Sequence, residues 1–297
     1  MKHFNDIVRS PGQAAWLVQN GYKNTKMIVK ANKVDFTRGA ISTTSWQDED
    51  FDFFGARWPG DTDGITRSYL AIPYRFNDLG HDPANPLSHT SHEKEIIRST
   101  MNIVSNEYMN GCIQFVDDTV DQAHYSYIEI FNAPECSSAL GWEHPNGHPN
   151  EMDLDADGCL SASTIQHEFL HALGFEHEQS RPDRDDHIIV HWDYLDDDLE
   201  DQYYKMPLTH WMDTSSPYDT NSVMHYQWWM GLTSEGYEQD KSVMTDKETG
   251  EAVQNPGRER MSSEDAFQLA AMYESFCPSL PSRTCDNGQR YLSNFAW

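Results

Sequence analysis

The spacing of apolar residues along the chain predicts a domain that mixes helices and strands. Between residues 91 and 110, apolar positions recur at intervals of four, three and four, as they do along one face of a helix. Gly111 follows, and glycine is a typical residue at a helix end. We expect one face of this helix to pack against a core. The apolar positions are Ile97, Met101, Val104 and Tyr108.

Two more helices and three strands follow from the same kind of pattern. One helix is predicted at about 161–173, and another begins after Ser262, which can cap its first turn together with Asp265. Strands are predicted at 27–36, 113–116 and 125–131, where β-branched and aromatic residues are frequent. The predicted fold class is therefore α+β. The apolar surface of the last helix is assigned to Phe267, Ala270, Ala271 and Met272.

The charge distribution separates an N-terminal segment from an acidic main domain. The 297-residue chain has a formal net charge of −27. Residues 1–57 contain eight Lys or Arg and six Asp or Glu, about +2, so residues 58–297 contain 13 against 42, about −29. This acidity argues against nucleic acid and anionic membranes as partners, because cationic side chains drive phosphate binding. We expect three parts: an N-terminal segment at 1–57, a main domain at 58–278 and a tail at 279–297.

The sequence gives two indications about compartment. No run approaches the length of a transmembrane helix, and the first residues lack the apolar core of a signal peptide, so export is encoded upstream or does not occur. The five cysteines fit two disulfides and one thiol in an oxidising compartment, or five buried thiols in the cytosol. The cysteine count alone does not choose between these interpretations.

The stretch 167–177 carries the residues of a metal site. His167 and His171 are four positions apart, so on a helix they share a face and can bind one ion. Glu168 lies where its carboxylate can act on a water molecule without binding the metal. Gly174 can take the backbone out of helical geometry, so that His177 returns as a third ligand. Three imidazoles with an open fourth position are typical of a catalytic zinc site.

The alternative is a chance pair of histidines on a solvated helix. That alternative carries weight for the five-residue motif alone, but the eleven-residue form with Gly174 and His177 in register is far more specific. We therefore predict one Zn²⁺ per chain.

The sequence around this site resembles the astacin family of zinc metalloproteases. Residues 167–185, HEFLHALGFEHEQSRPDRD, are closely similar to the extended zinc signature of the family, and residues 222–226, SVMHY, resemble its Met-turn. The resemblance extends over residues 68–278. It implies that Met224 lies beneath the zinc, and that Tyr226 is an additional, displaceable ligand that stabilises the oxyanion.

The resemblance also implies a fold, a pair of disulfides and a location. The fold would be a metzincin-type, two-lobed catalytic domain, with a mixed sheet and the zinc helix above the cleft and a loop-rich lower lobe with the C-terminal helix. The disulfides would be Cys112–Cys277 and Cys136–Cys159, with Cys285 unpaired. The protein would be a secreted, monomeric endopeptidase that acts on protein or peptide substrates.

Two further residues are assigned by the resemblance. Arg258 lies in a segment that, in the family, carries a basic residue into the pocket just beyond the scissile bond, so Arg258 would select Asp or Glu there. The alternative is a surface arginine in an acidic domain. Glu178 is similar to the family residue that engages the new N-terminus after maturation.

The N-terminal segment departs from the family pattern. Family zymogens are held latent by the Asp of a Phe-x-Gly-Asp motif, but residues 53–56 and 37–41 both have Ala at that position. Either another residue, Asp35, Asp50 or Asp52, takes over this role, or residues 1–57 do not inhibit.

The acidic stretch 153–158 has the carboxylate spacing of a calcium loop, but an EF-hand needs Glu where Thr164 stands. We favour an acidic turn. Two other functions stay open at this point: a zinc-loaded but inactive binding module, and a metal hydrolase acting on small amides.

Overall fold

The computed structural model describes most of the predicted main domain. The predicted strand at 27–36, the tail at 279–297, Arg258 and Cys285 lie outside the described residues. The residues that the structure describes are the backbone of 7–8, residue 58, and residues 69–77, 88–122, 124, 126–142, 149–206, 216–254, 259–273 and 276–277.

A mixed six-stranded sheet forms one layer, in the order β1-β5-β6-β4-β2-β3. Strands β2, β3, β4 and β6 are parallel neighbours, β5 runs antiparallel to β6, and β1 pairs in parallel with β5. The predicted strands at 113–116 and 125–131 are confirmed, the second beginning at Ile128. The strands are β1 (Ile7–Val8), β2 (Leu70–Phe76), β3 (Ile113–Asp117), β4 (Ile128–Phe131), β5 (Cys136–Ala139) and β6 (Asn150–Leu154).

The first described helix, α1, spans Ser91–Ile103 and continues as a π-helical turn at Val104–Tyr108. The Thr90 side chain accepts the Glu93 N–H, and Glu93 accepts the Thr90 N–H in return, so a capping box starts the helix. All four predicted core positions are buried, which confirms the predicted face. Helix α1 packs against helix α2 (Ala162–Ala172).

The last helix, α4 (Ser263–Met272), has the predicted capping box between Ser262 and Asp265. The predicted apolar face is wrong at Ala271, which is exposed, whereas Ala266, Leu269 and Met272 are buried. Asp265 is itself buried, and its bonds to residues 222 and 223 fix the rotation of the helix.

The chain after α2 contains less regular structure. It forms short 3₁₀ turns, the helix α3 (Ser234–Glu238) and a two-stranded antiparallel sheet of β7 (Ile188–Val190) and β8 (Met244–Asp246). The buried side chains fall into two clusters. One joins the large sheet to α1, α2 and α4, and the other fills the region around β7 and β8. This arrangement agrees with the expected two-lobed, α+β architecture.

Both predicted disulfides are present. Cys112 bonds to Cys277 and ties the start of β3 to the chain after α4, while Cys136 bonds to Cys159 and ties β5 to the turn before α2. Within the described residues, no helix is long and apolar enough to cross a membrane.

Candidate metal centre

Helix α2 delivers the first two histidines of the site. The Ser161 side chain caps the helix by accepting the Thr164 N–H at 3.1 Å. Its residues from 165 to 172 are all buried. The helix ends at Ala172 with Leu173 as its C-cap, and Gly174 then adopts a φ of 104°, a left-handed geometry that glycine adopts without a steric penalty. The predicted exit at Gly174 is thus confirmed, and the chain turns back toward the helix.

Three imidazoles meet where the chain returns. His171 Nε2 lies 3.0 Å from His167 Nε2 and 3.2 Å from His177 Nε2, and all three side chains are buried. The outer nitrogens of the helical pair face backbone oxygens, with His167 Nδ1 at 2.7 Å from the Val223 carbonyl and His171 Nδ1 at 2.6 Å from the Phe175 carbonyl. Because a carbonyl oxygen only accepts, each Nδ1 carries the proton and donates.

These contacts provide a test of the metal site. A neutral imidazole that donates through Nδ1 has a lone pair on Nε2. Lone pairs 3.0 Å apart repel one another unless a cation lies between them. The donor set of three buried imidazole nitrogens suits zinc, and the backbone bonds at Nδ1 are the orienting contacts typical of zinc-binding histidines. The residues present therefore fit the predicted Zn²⁺.

The acidic stretch 153–157 forms no comparable cluster among the described residues. Asp155 Oδ1 accepts the Asp157 N–H at 3.1 Å, and Asp153 Oδ2 accepts from the Ser137 hydroxyl at 3.3 Å. The stretch is the end of β6 and the turn that follows it, so these contacts agree with the acidic turn favoured by the sequence.

Tyr226 packs against the third histidine, and Glu168 and Met224 lie in the chain segments that carry the site. The Tyr226 ring centroid is 4.3 Å from that of His177 and 6.4 Å from that of His167. Glu168 follows His167 on α2 and is 1% exposed. The Met224 carbonyl accepts the Glu178 N–H at 3.2 Å, which joins residues 222–226 to the turn after the third histidine. The structure thus places the Tyr226 ring beside His177. The chemical roles of Glu168, Met224 and Tyr226 remain predictions.

Glu178 is buried against charged and polar neighbours. Its Oε1 accepts from Arg181 Nη1 at 3.1 Å and from the Asp219 N–H at 2.8 Å. Burial raises the pKa of Glu178 to about 8, although the Arg181 guanidinium lowers it. The predicted contact with a mature N-terminus stays a prediction.

Asp265 is a site residue that the sequence did not reveal. Its Oδ1 accepts from the Ser222 hydroxyl at 2.6 Å, and its Oδ2 accepts the Val223 N–H and the Ser262 N–H, each at 2.8 Å. The Val223 carbonyl in turn accepts from His167. Burial raises the pKa of Asp265 to about 6 against the opposing effect of these hydrogen bonds. The sequence indicated only the capping role of Asp265, because residue 223 is 42 positions away.

Comparison with known proteins supports the same site. The peptidase family described as Astacin matches residues 72–274. The low choriolytic enzyme of Oryzias latipes is 32% identical over 230 residues, which cover 74% of this chain and 72% of that protein. The zinc metalloproteinase dpy-31 of Haemonchus contortus is 36% identical over 153 residues, or 49% of this chain, and the match spans only 27% of that longer protein.

A solved structure shares the fold. The structure of high choriolytic enzyme 1, a hatching enzyme zinc-protease from Oryzias latipes, superposes with a TM-score of 0.59 at 26% identity. It covers 74% of this chain and 94% of that chain. The matched family, the shared fold and the three facing imidazoles lead to one conclusion: the chain belongs to the astacin family of peptidases and is a zinc metalloendopeptidase.

Proposed function

We propose that this endopeptidase cleaves protein chains with Glu168 as general base and Tyr226 as oxyanion donor. The observation that carries the proposal is the convergence of three buried imidazole nitrogens, with the buried Glu168 following His167 on α2. His167, His171 and His177 would hold the zinc, which would lower the pKa of a water molecule toward neutrality and polarise the scissile carbonyl. Glu168 accepts the proton of the attacking water and delivers it to the leaving amine.

The support for Tyr226 is its position beside the third ligand. Its ring is 1% exposed and packs at 4.3 Å from the His177 ring. A phenol held there can donate its O–H to the oxyanion that develops as the carbonyl is attacked. Such a donor stabilises the transition state more than the bound substrate, so its contribution appears in kcat.

Arg258 is proposed as the residue that selects an acidic side chain just after the scissile bond. The support is the resemblance of residues 255–258 to the corresponding family segment, since Arg258 lies outside the described residues. A guanidinium pairs well with a carboxylate because it can donate two parallel hydrogen bonds.

The test maps the cleavage sites in an unfolded protein by mass spectrometry, using wild type, Arg258→Met and Arg260→Met. Arg260 is exposed and two positions away, so its variant loses the same charge nearby. We expect Arg258→Met to lower kcat/KM before Asp and Glu by roughly tenfold to a hundredfold, the worth of a charged hydrogen bond. Arg260→Met is expected to keep the wild-type pattern. The same preference in wild type and Arg258→Met would contradict the assignment.

We also propose that residues 1–57 reduce the activity of the full chain by occupying the edge of the sheet, a partial latency. The support is the pairing of β1 with β5, which puts Ile7 opposite Ser138 and Val8 opposite Ala139. The chain just after β5 is bonded to the zinc helix, since the Gly141 N–H donates to the His171 carbonyl at 2.8 Å. An extended substrate that adds to the same edge would compete with β1 for its backbone groups.

A secreted, monomeric protein is proposed on two observations. Two disulfides are typical of an oxidising compartment. Large hydrophobic side chains are seldom exposed in the described part of the chain, which is typical of a surface without a permanent partner. The exposed ones are Val120, Ile189, Trp192 and Tyr237.

A further inference from the structure

We infer that Gln179 is a positioning residue that sets where the Tyr226 phenol stands relative to the third histidine. The inference deepens the proposed function and rests on the oxyanion role given there to Tyr226. It concerns a buried amide that is not one of the three imidazole ligands and that accepts a hydrogen bond from the Tyr226 backbone.

The Tyr226 backbone is held by side chains rather than by a helix or strand. Residue 226 is the last residue of the Met-turn segment 222–226 and belongs to no helix or strand. Its N–H donates to Gln179 Oε1 at 3.0 Å, and its carbonyl oxygen lies 2.6 Å from His225 Nδ1, which therefore donates to it. The peptide groups on both sides of the Tyr226 Cα are thus fixed, and the direction of its side chain is fixed with them.

Gln179 is held in turn by several contacts. Its side chain is 0% exposed, and its Nε2 donates to the Gln202 carbonyl at 3.3 Å, which settles the orientation of the amide. Its own carbonyl accepts from Arg184 Nη1 at 2.7 Å. An amide with both ends bonded cannot exchange its donor and acceptor without losing both contacts.

The position of Gln179 links the two halves of the site. It belongs to the 3₁₀ turn Glu178–Ser180, whose N-cap residue is His177. The same short turn therefore carries the third imidazole and the acceptor for Tyr226, which is 47 positions away in sequence. The separation of 4.3 Å between the His177 and Tyr226 rings follows from this shared attachment.

Loss of this acceptor has a specific kinetic consequence. A small displacement of a catalytic group costs rate, because a misplacement of about 1 Å can cost roughly a hundredfold. The Tyr226 O–H is used when the oxyanion develops, so the loss is expected in kcat, with little change in KM. A general loss of folding would instead lower the active fraction and leave kcat per zinc-loaded chain unchanged.

The experiment compares Gln179→Met with Gln202→Met on a peptide substrate, using full-length, zinc-loaded chains. Gln202 is also 0% exposed, and its side-chain Nε2 donates to Asp201 rather than to Tyr226. Its substitution by Met changes only the side chain and keeps the backbone carbonyl that accepts from Gln179. We expect Gln179→Met to lower kcat by roughly tenfold or more, with KM changed by less than about twofold and zinc content unchanged. Gln202→Met is expected to keep kcat within about threefold of wild type. Equal losses of kcat in the two variants would overturn the inference.

A double-mutant cycle with Tyr226→Phe distinguishes a failure of this inference from a failure of the oxyanion role proposed for Tyr226. If Gln179 acts through the phenol, Gln179→Met adds little to the loss already caused by Tyr226→Phe. Losses that multiply would overturn the inference and leave the role of Tyr226 intact. A wild-type kcat for Tyr226→Phe would remove the proposed oxyanion role, and the inference with it.

Gln179→Asn covers the case in which Gln179→Met fails to fold. Asparagine keeps the amide but is one methylene shorter, so it does not reach both the Tyr226 N–H and the Gln202 carbonyl. We expect this variant to lower kcat in the same direction as Gln179→Met, with KM and zinc content unchanged. A folded, zinc-loaded Gln179→Asn chain with the kcat of wild type would overturn the inference.

Discussion

At the scale of single residues, backbone carbonyls orient two of the zinc ligands. His167 donates to Val223 and His171 to Phe175, so the loops that carry those carbonyls set the directions of the imidazole rings. The Val223 peptide is in turn held by Asp265, which accepts its N–H. The Asp265 carboxylate at the start of α4 therefore helps to orient His167 through the Val223 peptide.

The raised pKa of Asp265 gives a prediction about stability and pH. Its pKa is about 6 in the folded chain and 3.8 as the ordinary value, so the folded state binds more protons between these pH values. The contribution of Asp265 is therefore fully present below about pH 3.8 and is lost as pH rises through 6. Relative to Asp265→Asn, we expect the free energy of unfolding of wild type to fall by about 3 kcal/mol over this window.

The measurement is denaturant unfolding of both proteins from pH 3.5 to 7. A chelator is present throughout, because protonation of the imidazoles would otherwise release zinc within the same range. Comparing the two proteins at each pH cancels the titration of the many other acidic groups. A difference that stays constant, or that rises with pH, would contradict the burial assigned to this carboxyl group.

The residues of the site differ in how far sequence predicts them. His167, His171, Gly174 and His177 are predictable because helix period and glycine geometry are local properties. Asp265 and Gln179 are not, because their partners lie 42 and 47 positions away and are brought near only by folding. Each residue also has an ordinary local interpretation in the sequence. Asp265 can be taken as a helix cap only, and Gln179 as a polar residue of a loop.

At the scale of elements, the two disulfides fasten the strands to the helices that carry the site. Cys112–Cys277 closes a sequence separation of 165 residues, and Cys136–Cys159 closes one of 23. Cys112–Cys277 anchors the chain after α4. Helix α4 contains Asp265, which accepts the N–H of Val223 in the Met-turn. The second disulfide fixes β5 to the turn that leads into α2.

The different loop lengths predict different costs of removing each disulfide. Chain entropy predicts a loss of about 5 kcal/mol for Cys112→Ala with Cys277→Ala, and about 3 kcal/mol for Cys136→Ala with Cys159→Ala. Denaturant unfolding of the zinc-loaded proteins measures both. The control is Cys285→Ala, predicted to be unpaired and expected to change stability by less than about 0.5 kcal/mol. A greater loss from the shorter loop would show that constraint of the unfolded chain does not dominate.

Element types were predictable where the apolar period is clear, as in α1 and α2. The buried face of α4 was not predictable. The apolar residues of the sequence suggest that Ala271 is buried, but the buried hydrogen bonds of Asp265 decide how the helix is rotated about its axis. The parallel pairing of β2 with β3 and β4 could not be predicted from the spacing of apolar residues either, since it depends on contacts between distant segments.

At the scale of the whole molecule, the N-terminal segment and the catalytic domain share one sheet. Strand β1 extends the sheet at β5, on the edge next to the zinc helix. The backbone groups that β1 uses are those that an extended substrate would need there. Under the proposed latency, inhibition would depend on this strand pairing and would not need the usual family Asp.

Proline substitutions test this dependence in the full chain. Ile7→Pro with Val8→Pro removes the backbone N–H groups of β1, and we expect peptide cleavage to rise by roughly tenfold, as for the loss of one or two net hydrogen bonds. Thr43→Pro with Thr44→Pro, in the same segment but outside β1, serves as the control. Equal rates for wild type and the β1 variant would contradict the proposed latency.

The central claim is that three imidazoles and Glu168 make this chain a zinc endopeptidase. The most direct test is mass spectrometry of the products from an unfolded protein, using wild type, wild type with a zinc chelator, and Glu168→Gln. We predict cleavage by wild type, its loss with chelator and return with zinc, and a Glu168→Gln chain that keeps one zinc but cuts at least a hundredfold more slowly. A zinc-loaded Glu168→Gln chain that cuts at the wild-type rate would contradict the account.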